Sequence, residues 1–399
     1  MLPLRTQHAL RRAATPSLRI CSTCLRCNSS VSSPNPPKPK KPKRKIIFSG
    51  IQPTGVPHLG NYLGALRQWV KLQNELHKRH VLLYSIVDLH AITVKQDPKE
   101  LAQWRKEMFA SLMAVGLDPK RSIIFAQSDV SYHSELMWIL SCYASIGYLG
   151  RMTQWKSKLA LPDNASPFDP SPSNKAALKL GLFSYPVLQA ADILLYQTTH
   201  VPVGEDQAQH LEFARELAIG FNHAIATNNN SNFRLHPPET ILSPAKRVMS
   251  LTNPTKKMSK SDENPKSRIL ITDTKEVIQN KLKSALTDSV EGVSYDPEGR
   301  PGVSNLIDLM YHIDESVAAS PEELAKDLEG LSMRALKEKV ADVVDEGIRD
   351  VREKYEEVMA MPGSELRALA KKGEQQAGSY AGKTLGEVKR AVGLSTELW

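Results

Sequence analysis

The sequence has few cysteines and no long hydrophobic run. Of its four cysteines, Cys21, Cys24 and Cys27 lie together near the N-terminus, and Cys142 stands alone. A zinc site usually needs four ligands at matching spacings, so we interpret the three N-terminal cysteines as incidental and predict no metal site. A single cysteine beyond residue 45 excludes an intramolecular disulfide framework there. No apolar run approaches the roughly 18 residues needed to cross a bilayer, so no membrane partner is expected.

Acidic residues are missing from the start of the chain, where the first is Glu75. Residues 1–45 carry eleven Lys and Arg, and removing these from the net charge of +9 leaves −2 for residues 46–399. A uniformly basic nucleic-acid binder is therefore excluded. An Arg- and Ser-rich, acid-free start is typical of a mitochondrial transit peptide, here over residues 1–33, and a Pro/Lys-rich spacer follows to residue 45. A nuclear localisation patch is the alternative.

A turn rich in glycine and proline follows the first predicted strand. The apolar run over residues 45–50 predicts a buried strand, and the spacing of apolar residues from Tyr62 onwards predicts a helix after the turn. The N-terminus of such a helix presents free backbone N–H groups, which commonly bind phosphate. His58 and Asn61 would share a face of its first turn and donate to phosphate oxygens, with Gly60 allowing a ligand to approach closely. The alternative is a helix cap with a surface histidine.

A second polar segment, Lys257–Ser261 (KMSKS), lies far downstream. It has no apolar periodicity and lies between Pro254 and Pro265, which predicts a mobile loop. Ammonium and hydroxyl groups on a short loop suit a polyphosphate whose charge must be held while a bond breaks. Taken alone, the segment also fits a solvated surface loop, which is the commoner occurrence of such runs.

Together the two segments resemble the paired signatures of the class I aminoacyl-tRNA synthetases. Pro57–Asn61 (PHLGN) is similar to their HIGH signature, and Lys257–Ser261 is a full match to KMSKS, in the same order along the chain. The wider sequence resembles the bacterial-type, tryptophan-specific branch of that family from about residue 46 to the C-terminus. The stretches that carry this likeness are FSGIQPTG (48–55), IVDLHAIT (86–93), RMTQWK (151–156), YPVLQAADILLY (185–196) and VPVGEDQ (201–207).

The resemblance implies an ATP site at the two signatures. His58 and Asn61 would hold the phosphates from the helix side, and Lys257 and Lys260 would hold the pyrophosphate as negative charge moves onto it. These four side chains are the predicted catalytic residues. The predicted ATP-binding residues are Gln52, Pro53, Thr54, Gly60, Asn61, Gly204, Glu205, Asp206, Val248, Lys257, Met258, Ser259, Lys260 and Ser261.

Asp192 is the one carboxylate in the apolar run from Ala190 to Tyr196. Burying a carboxylate is costly unless it finds a partner. An indole N–H, which can only donate, is one such partner, and an ion pair with Lys or Arg is the alternative. The resemblance assigns Asp192 to the indole N–H, and it implies a contact of Tyr185 with the substrate amino group. The predicted tryptophan-binding residues are Asp192, Tyr185, Gln189, Val201, Val203 and Gln207, and Gln189 departs from the methionine that many bacterial relatives carry.

Strands and helices alternate through the middle of the chain. Predicted strands over residues 80–87 and 122–127 flank a predicted helix over 98–115, which favours an α/β fold with a Rossmann-like, doubly wound parallel sheet. From residue 275 the pattern changes to helices alone. A long apolar stripe runs from Leu336 to Val358, with charges such as Asp345 expected mostly in solvent.

Three regions follow from these patterns. Residues 1–45 are the predicted transit peptide and spacer, and residues 46–270 are the predicted catalytic domain. Residues 271–399 would form a helical domain, to which the resemblance assigns binding of the tRNA anticodon. From the spacing alone, this last region is predicted only to be a helical bundle.

The function that the resemblance implies is ATP-dependent ligation of tryptophan to tRNA. ATP with Mg²⁺ would activate L-tryptophan as the adenylate, and mitochondrial tRNA(Trp) would accept the acyl group in the mitochondrial matrix, for mitochondrial translation. The resemblance also implies a homodimer, as in other members of this subgroup. The alternatives are a tyrosine-specific relative, an RNA-binding protein that keeps the fold, and a nucleotidylyltransferase. Retention of both signatures disfavours a pure RNA binder, and the long helical C-terminal region disfavours a nucleotidylyltransferase.

Overall fold

A computed structural model describes residues 44–159, 161, 165–166, 178–204, 207–229, 232–242, 247–260 and 262–396. Contacts group Arg44–Trp399 into one compact unit. The predicted transit peptide and three of the four cysteines lie outside the described residues. The division at residue 270 stays a prediction.

A parallel sheet of five strands forms the centre of this unit. Its strands are β1 (Ile46–Ile51), β2 (Val81–Ile86), β3 (Ile123–Ala126), β4 (His200–Val203) and β5 (Glu239–Leu242). Their spatial order is β3-β2-β1-β4-β5. Every residue of β2 is buried, as expected for an inner strand of a sheet covered on both faces.

The direction of strand addition changes at β1. The next two strands in sequence lie on one side of β1, and β4 and β5 lie on the other. In doubly wound sheets such a switch point leaves a crevice at the carboxyl ends of the two central strands. The predicted α/β, doubly wound fold is confirmed, and its ligand crevice is expected beyond Ile51 and Val203.

Helices join and cover the strands. The predicted helix over 98–115 is confirmed, and it begins where the Asp97 carboxylate accepts hydrogen bonds from the backbone N–H groups of Lys99 and Glu100 at 2.8 and 3.0 Å. A π-helical turn (Tyr62–Leu66) joins the first two helices. The helices of this half are α1 (Leu59–Asn61), α2 (Arg67–Glu75), α3 (Asp88–Ala91), α4 (Pro98–Ala114), α5 (Tyr132–Ser141), α6 (Ile146–Arg151), α7 (Gln154–Lys158), α8 (Leu180–Leu194) and α9 (Ala208–Asn229).

Beyond residue 270, the described residues form helices and loops without a strand. The helices are α10 (Lys275–Lys283), α11 (Pro301–Ile313), α12 (Pro321–Asp327), α13 (Met333–Ala360) and α14 (Gly363–Ala391). None of the helices within the described ranges is long and apolar enough to span a bilayer.

The long stripe on α13 is confirmed at both ends, because Leu336 and Val358 are fully buried. The prediction that Asp345 lies mostly in solvent is wrong, since this residue is buried. Its carboxylate accepts a hydrogen bond from Arg352 at 2.9 Å, which compensates for the loss of hydration.

The last helix, α14, returns to cover the edge strand β3. Where α14 lies closest to β3, a Cβ atom on Gly373 would collide with the carbonyl oxygen of Ile124, so only glycine fits there. The helical region therefore packs directly on the sheet.

Candidate active site

Two adjoining cavities lie at the carboxyl ends of β1 and β4. The first has a volume of about 360 Å³ and is walled by these strand ends and by α8. Of the predicted tryptophan-binding residues, those that line it are Tyr185, Gln189, Asp192, Val201 and Gln207. The Val203 side chain lies outside the described part of the protein. We call this space the inner cavity.

The second space, the outer cavity, has a volume of about 860 Å³. The predicted ATP-binding residues that line it are Gln52, Thr54, Gly60, Asn61, Gly204, Lys257, Met258, Ser259 and Lys260, together with His58 of the predicted catalytic set. Gln52, Asn61 and Gly204 also line the inner cavity, so the two spaces meet there.

Five predicted ATP-binding residues are not placed in the wall of the outer cavity. Pro53 and Val248 are buried and are absent from its lining. Glu205, Asp206 and Ser261 lie outside the described residues. The roles of all five stay predictions.

Asp192 is fully buried on α8 and has three side-chain partners. Its Oδ2 lies 2.8 Å from His90 Nε2. Its Oδ1 lies 2.7 Å from His133 Nδ1 and accepts a hydrogen bond from Gln127 Nε2 at 2.6 Å. The other ring nitrogen of His133 lies 2.8 Å from the Tyr196 hydroxyl. The partners in the structure are therefore two histidines and an amide, rather than the Lys or Arg of the alternative interpretation.

These contacts fix the charge of Asp192. Burial alone raises the pKa of a carboxyl group, but the hydrogen bonds from His133 and His90 outweigh it and hold the pKa of Asp192 at about 2. The carboxylate is thus an anion at neutral pH. Since Oδ2 has only one of these three partners, it retains a lone pair for a further donor in the inner cavity.

Tyr185 lies on the same helix as Asp192, seven residues earlier, and also lines the inner cavity. Its hydroxyl donates to Gln154 Oε1 at 2.8 Å and lies 3.1 Å from His210 Nε2. The ammonium group of Lys158 lies 4.8 Å from the centre of the Tyr185 ring. Gln189 donates to Gln207 at 3.3 Å, so both predicted glutamines are joined in the cavity wall.

His58 and Asn61 cap helix α1 reciprocally. The Asn61 backbone N–H donates to His58 Nδ1 at 3.3 Å, and the His58 backbone N–H donates to Asn61 Oδ1 at 3.2 Å. The helix cap of the alternative interpretation is therefore present, but the histidine is buried rather than on the surface. A Cβ atom on Gly60 would lie 2.9 Å from the His58 ring, so glycine leaves the room that the imidazole occupies.

The environment keeps the His58 imidazole neutral. Burial lowers its pKa to about 3, and the positive charges of Lys260, Arg268 and Lys257 add to this shift. Because Nδ1 accepts a hydrogen bond from Asn61, the single ring proton is assigned to Nε2. His58 can therefore donate one hydrogen bond without carrying a charge.

The KMSKS segment forms the second leg of a short hairpin. Met258 N donates to Val248 O at 2.9 Å, and Ser250 N donates to Lys256 O at 2.8 Å. The side chain of Met258 is buried, whereas that of Lys257 is exposed at the outer cavity. The predicted loop is confirmed, and its mobility stays a prediction.

Lys260 lies in the wall of the outer cavity, beside the turn that follows β1. Its ammonium group donates to Gly55 O at 2.7 Å. Burial lowers the pKa of Lys260 to about 7, and repulsion from Arg268 adds to the effect. A polyanion would favour the charged form of Lys260 that burial and Arg268 disfavour, so this cavity favours a phosphate ligand.

Sequence reasoning missed several residues of the site. His90 lies inside a stretch already noted for its resemblance, and it is a polar residue on the short helix α3 that follows the buried strand β2. Gln127 likewise follows β3, so position at a strand end was the signal available for both. His133 and Arg268 carried no such local signal. In the described part of the chain, no group of His, Cys, Asp and Glu is arranged to hold a metal ion.

A family model described as tRNA synthetases class I (W and Y) matches residues 40–348 of the chain. The protein belongs to this family of class I tRNA synthetases. The chain is 43% identical over 353 residues to the mitochondrial tryptophan–tRNA ligase of Schizosaccharomyces pombe, covering 88% of this chain and 95% of the relative. It is 44% identical over 350 residues to the tryptophan–tRNA ligase of Bacillus anthracis, covering 88% and 98%.

Solved structures agree with this assignment. Tryptophanyl-tRNA synthetase from Mycoplasma pneumoniae is 31% identical, with a TM-score of 0.75 over 89% of this chain and 99% of that one. The enzyme from Campylobacter jejuni, complexed with ADP and tryptophan, is also 31% identical, with a TM-score of 0.69 over 88% and 100%.

Proposed function

We propose that the protein is a mitochondrial tryptophan–tRNA ligase that works in the mitochondrial matrix. It would activate L-tryptophan with Mg²⁺-bound ATP and transfer the product to tRNA(Trp). The observation that carries the proposal is the pair of joined cavities, one built around the buried anion of Asp192 and the other around a cluster of cations. The names and high identity of its curated relatives support the same substrates.

In the first step, the carboxylate of tryptophan attacks the α-phosphorus of ATP and pyrophosphate leaves. Lys257 and Lys260 would hold the charge that moves onto the pyrophosphate, and neutral His58 would donate from Nε2 to a phosphate oxygen. Asn61 and Gln52 line both cavities, so the reacting groups would meet beside them. Positioning supplies the rate, and no covalent nucleophile of the protein is needed.

In the inner cavity, the indole N–H would donate to Asp192, whose remaining lone pair on Oδ2 is available. Tyr185 and the joined glutamines Gln189 and Gln207 would line the rest of the substrate. The predicted contact of Tyr185 with the substrate amino group belongs to this proposal. The indole N–H would be a further neutral donor to a carboxylate that already has three side-chain partners.

In the second step, the terminal ribose of tRNA takes the acyl group from the adenylate. We assign tRNA binding to the helical region over residues 271–399. We also propose a homodimer, which the resemblance to this subgroup implies.

A tyrosine-specific ligase is the second candidate. A phenol both donates and accepts, so its pocket needs a donor beside the acid. Sequence reasoning saw no second group next to Asp192, but His90 lines the inner cavity and stands beside that carboxylate. The geometry therefore leaves tyrosine open, and the identity of the relatives favours tryptophan.

The test is amino-acid-dependent exchange of pyrophosphate into ATP by the full chain, with tryptophan and tyrosine in parallel. We expect exchange with tryptophan only, followed by charging of tRNA(Trp). Exchange with tyrosine alone would overturn the substrate while leaving the chemistry. No exchange with any amino acid would instead favour an RNA-binding protein that keeps the fold.

A further inference from the structure

The hairpin that carries Lys257 has one edge that faces away from its own second leg. Met249 and Lys257 are opposite each other in an antiparallel bridge. The hydrogen bonds across the hairpin come from the residues on either side, Val248 and Ser250. In this arrangement the backbone N–H and C=O groups of Met249 point outwards, and they need partners elsewhere.

Both partners come from one side chain of the helical region. The Met249 N–H donates to Asn305 Oδ1 at 3.0 Å, and Asn305 Nδ2 donates to the Met249 carbonyl oxygen at 3.2 Å. Asn305 lies on α11 and is buried. Its carboxamide thus replaces a residue of a neighbouring strand, since an amide donates and accepts at the same time.

We propose that Asn305 is a positioning residue for adenylate formation, which sets the register of the phosphate-binding hairpin against helix α11. The inference rests on the proposed function, because it assigns Lys257 to the phosphates of ATP. It goes beyond that function in assigning a role to a residue of the helical region that lines neither cavity.

Apolar packing alone does not fix this register. Val248 and Met258 pack in a cluster with Leu59 of α1 and Leu306 of α11, and such contacts are not directional. The two hydrogen bonds to Asn305 are directional and hold Met249, which lines the outer cavity opposite Lys257. Losing them leaves two backbone groups unsatisfied at the base of the ATP site.

The experiment compares Asn305→Leu with Ser304→Ala. Leucine keeps the branching at Cγ and makes neither bond. Ser304 is the buried neighbour on the same helix, and its hydroxyl accepts from the Asp296 N–H at 2.9 Å instead of contacting the hairpin. The measurements are the kcat and the KM values for ATP and tryptophan in pyrophosphate exchange, and the hydrogen exchange of the Met249 amide.

For Asn305→Leu we expect kcat/KM for ATP to fall about ten- to a hundredfold, with KM for tryptophan within about twofold of the wild type. The Met249 amide should exchange faster, while amides of β2 keep their protection. Ser304→Ala should leave kcat/KM for ATP and KM for tryptophan within about twofold of the wild-type values. Asn305→Asp keeps the acceptor for the Met249 N–H but repels its carbonyl, so it supplies the same comparison if the leucine variant does not fold.

Two results would overturn the role of Asn305. One is a folded Asn305→Leu protein with wild-type constants, and the other is a KM for tryptophan that rises as much as the KM for ATP. A wild-type protein without tryptophan-dependent exchange would instead overturn the proposed function. In that case hydrogen exchange of the Met249 amide still decides whether Asn305 holds the hairpin.

Discussion

The inner and outer cavities meet at Asn61, yet they handle charge in opposite ways. The inner cavity holds one anion, Asp192, whose neighbours His90 and His133 favour its charged form. The outer cavity holds a cation whose surroundings disfavour its charge, since burial and then the charge of Arg268 lower the pKa of Lys260. The charge of Asp192 is therefore compensated before a ligand binds, whereas the positive charge of the outer cavity is compensated only by its ligand.

The difference follows from how each cavity is built. Asp192 lies on the long helix α8, and its partners come from segments at the ends of β2 and β3 and from α5. Lys257 and Lys260 lie on a loop. A rigid frame suits discrimination between small apolar substrates, whereas a loop can close on ATP and reopen when pyrophosphate leaves.

Loss of the inner anion should have the largest effect. For Asp192→Asn we expect kcat/KM for tryptophan to fall about a hundred- to a thousandfold, because the indole donor and both histidines lose a buried charge. Pyrophosphate exchange measures it. Asp345→Asn is the matched control, since that carboxylate is equally buried but lies on α13. An equal loss of exchange in both variants would mean that Asp192 acts through stability alone.

Removal of one outer cation should come next. For Lys260→Met we expect exchange to slow about a hundredfold at saturating tryptophan, because the leaving pyrophosphate loses one ammonium group. Affinity for tryptophan, measured by equilibrium binding without ATP, should stay within about twofold. A comparable loss of tryptophan affinity would show that the two cavities are not separable.

The sequence predicted residues that line both cavities, but it did not predict the partners of Asp192. Lys257, Lys260, His58 and Asn61 of the outer cavity are close together in two short motifs, so they could be identified without a structure. The partners of Asp192 are far apart in the chain, since His90 and His133 lie on different helices. Periodicity reports which face of an element is buried, and it does not report which polar groups meet there.

The same limit applies to the fold. Alternation of strands and helices predicted the doubly wound sheet and the helix α4. The stripe on α13 was also predicted, but Asp345 was placed in solvent because its partner Arg352 is visible only once the helix packs. Neither did the pattern predict that α14 would cover β3 at Gly373.

Substitution of His133 should have a smaller effect, and two variants distinguish its two hydrogen bonds. For His133→Leu we expect KM for tryptophan to rise about tenfold, because Asp192 Oδ1 loses a donor and the Tyr196 hydroxyl loses its partner. His133→Asn replaces the donor at Nδ1 and should recover most of that loss. No recovery with asparagine would indicate that ring packing, rather than orientation of the carboxylate, is what His133 supplies.

The smallest effect concerns protons at the outer cavity. The pKa of Lys260 is lowered to about 7, so part of the population is uncharged near neutral pH. ATP or pyrophosphate favours the charged form and raises that pKa, so binding takes up a fraction of a proton. Binding should therefore weaken about three- to tenfold as pH rises from roughly 7 to 8.5, and tighten towards lower pH until the phosphates themselves titrate.

Calorimetry of ATP binding in buffers of different ionisation enthalpy measures this proton uptake directly. The uptake should vanish in Lys260→Met and persist in Lys257→Met, because the Lys257 side chain is exposed. Uptake that survives loss of Lys260 would assign the proton to another group of the cluster. Binding of tryptophan to the inner cavity without ATP should show no matching dependence, since Asp192 titrates only in strong acid and stays charged throughout this range.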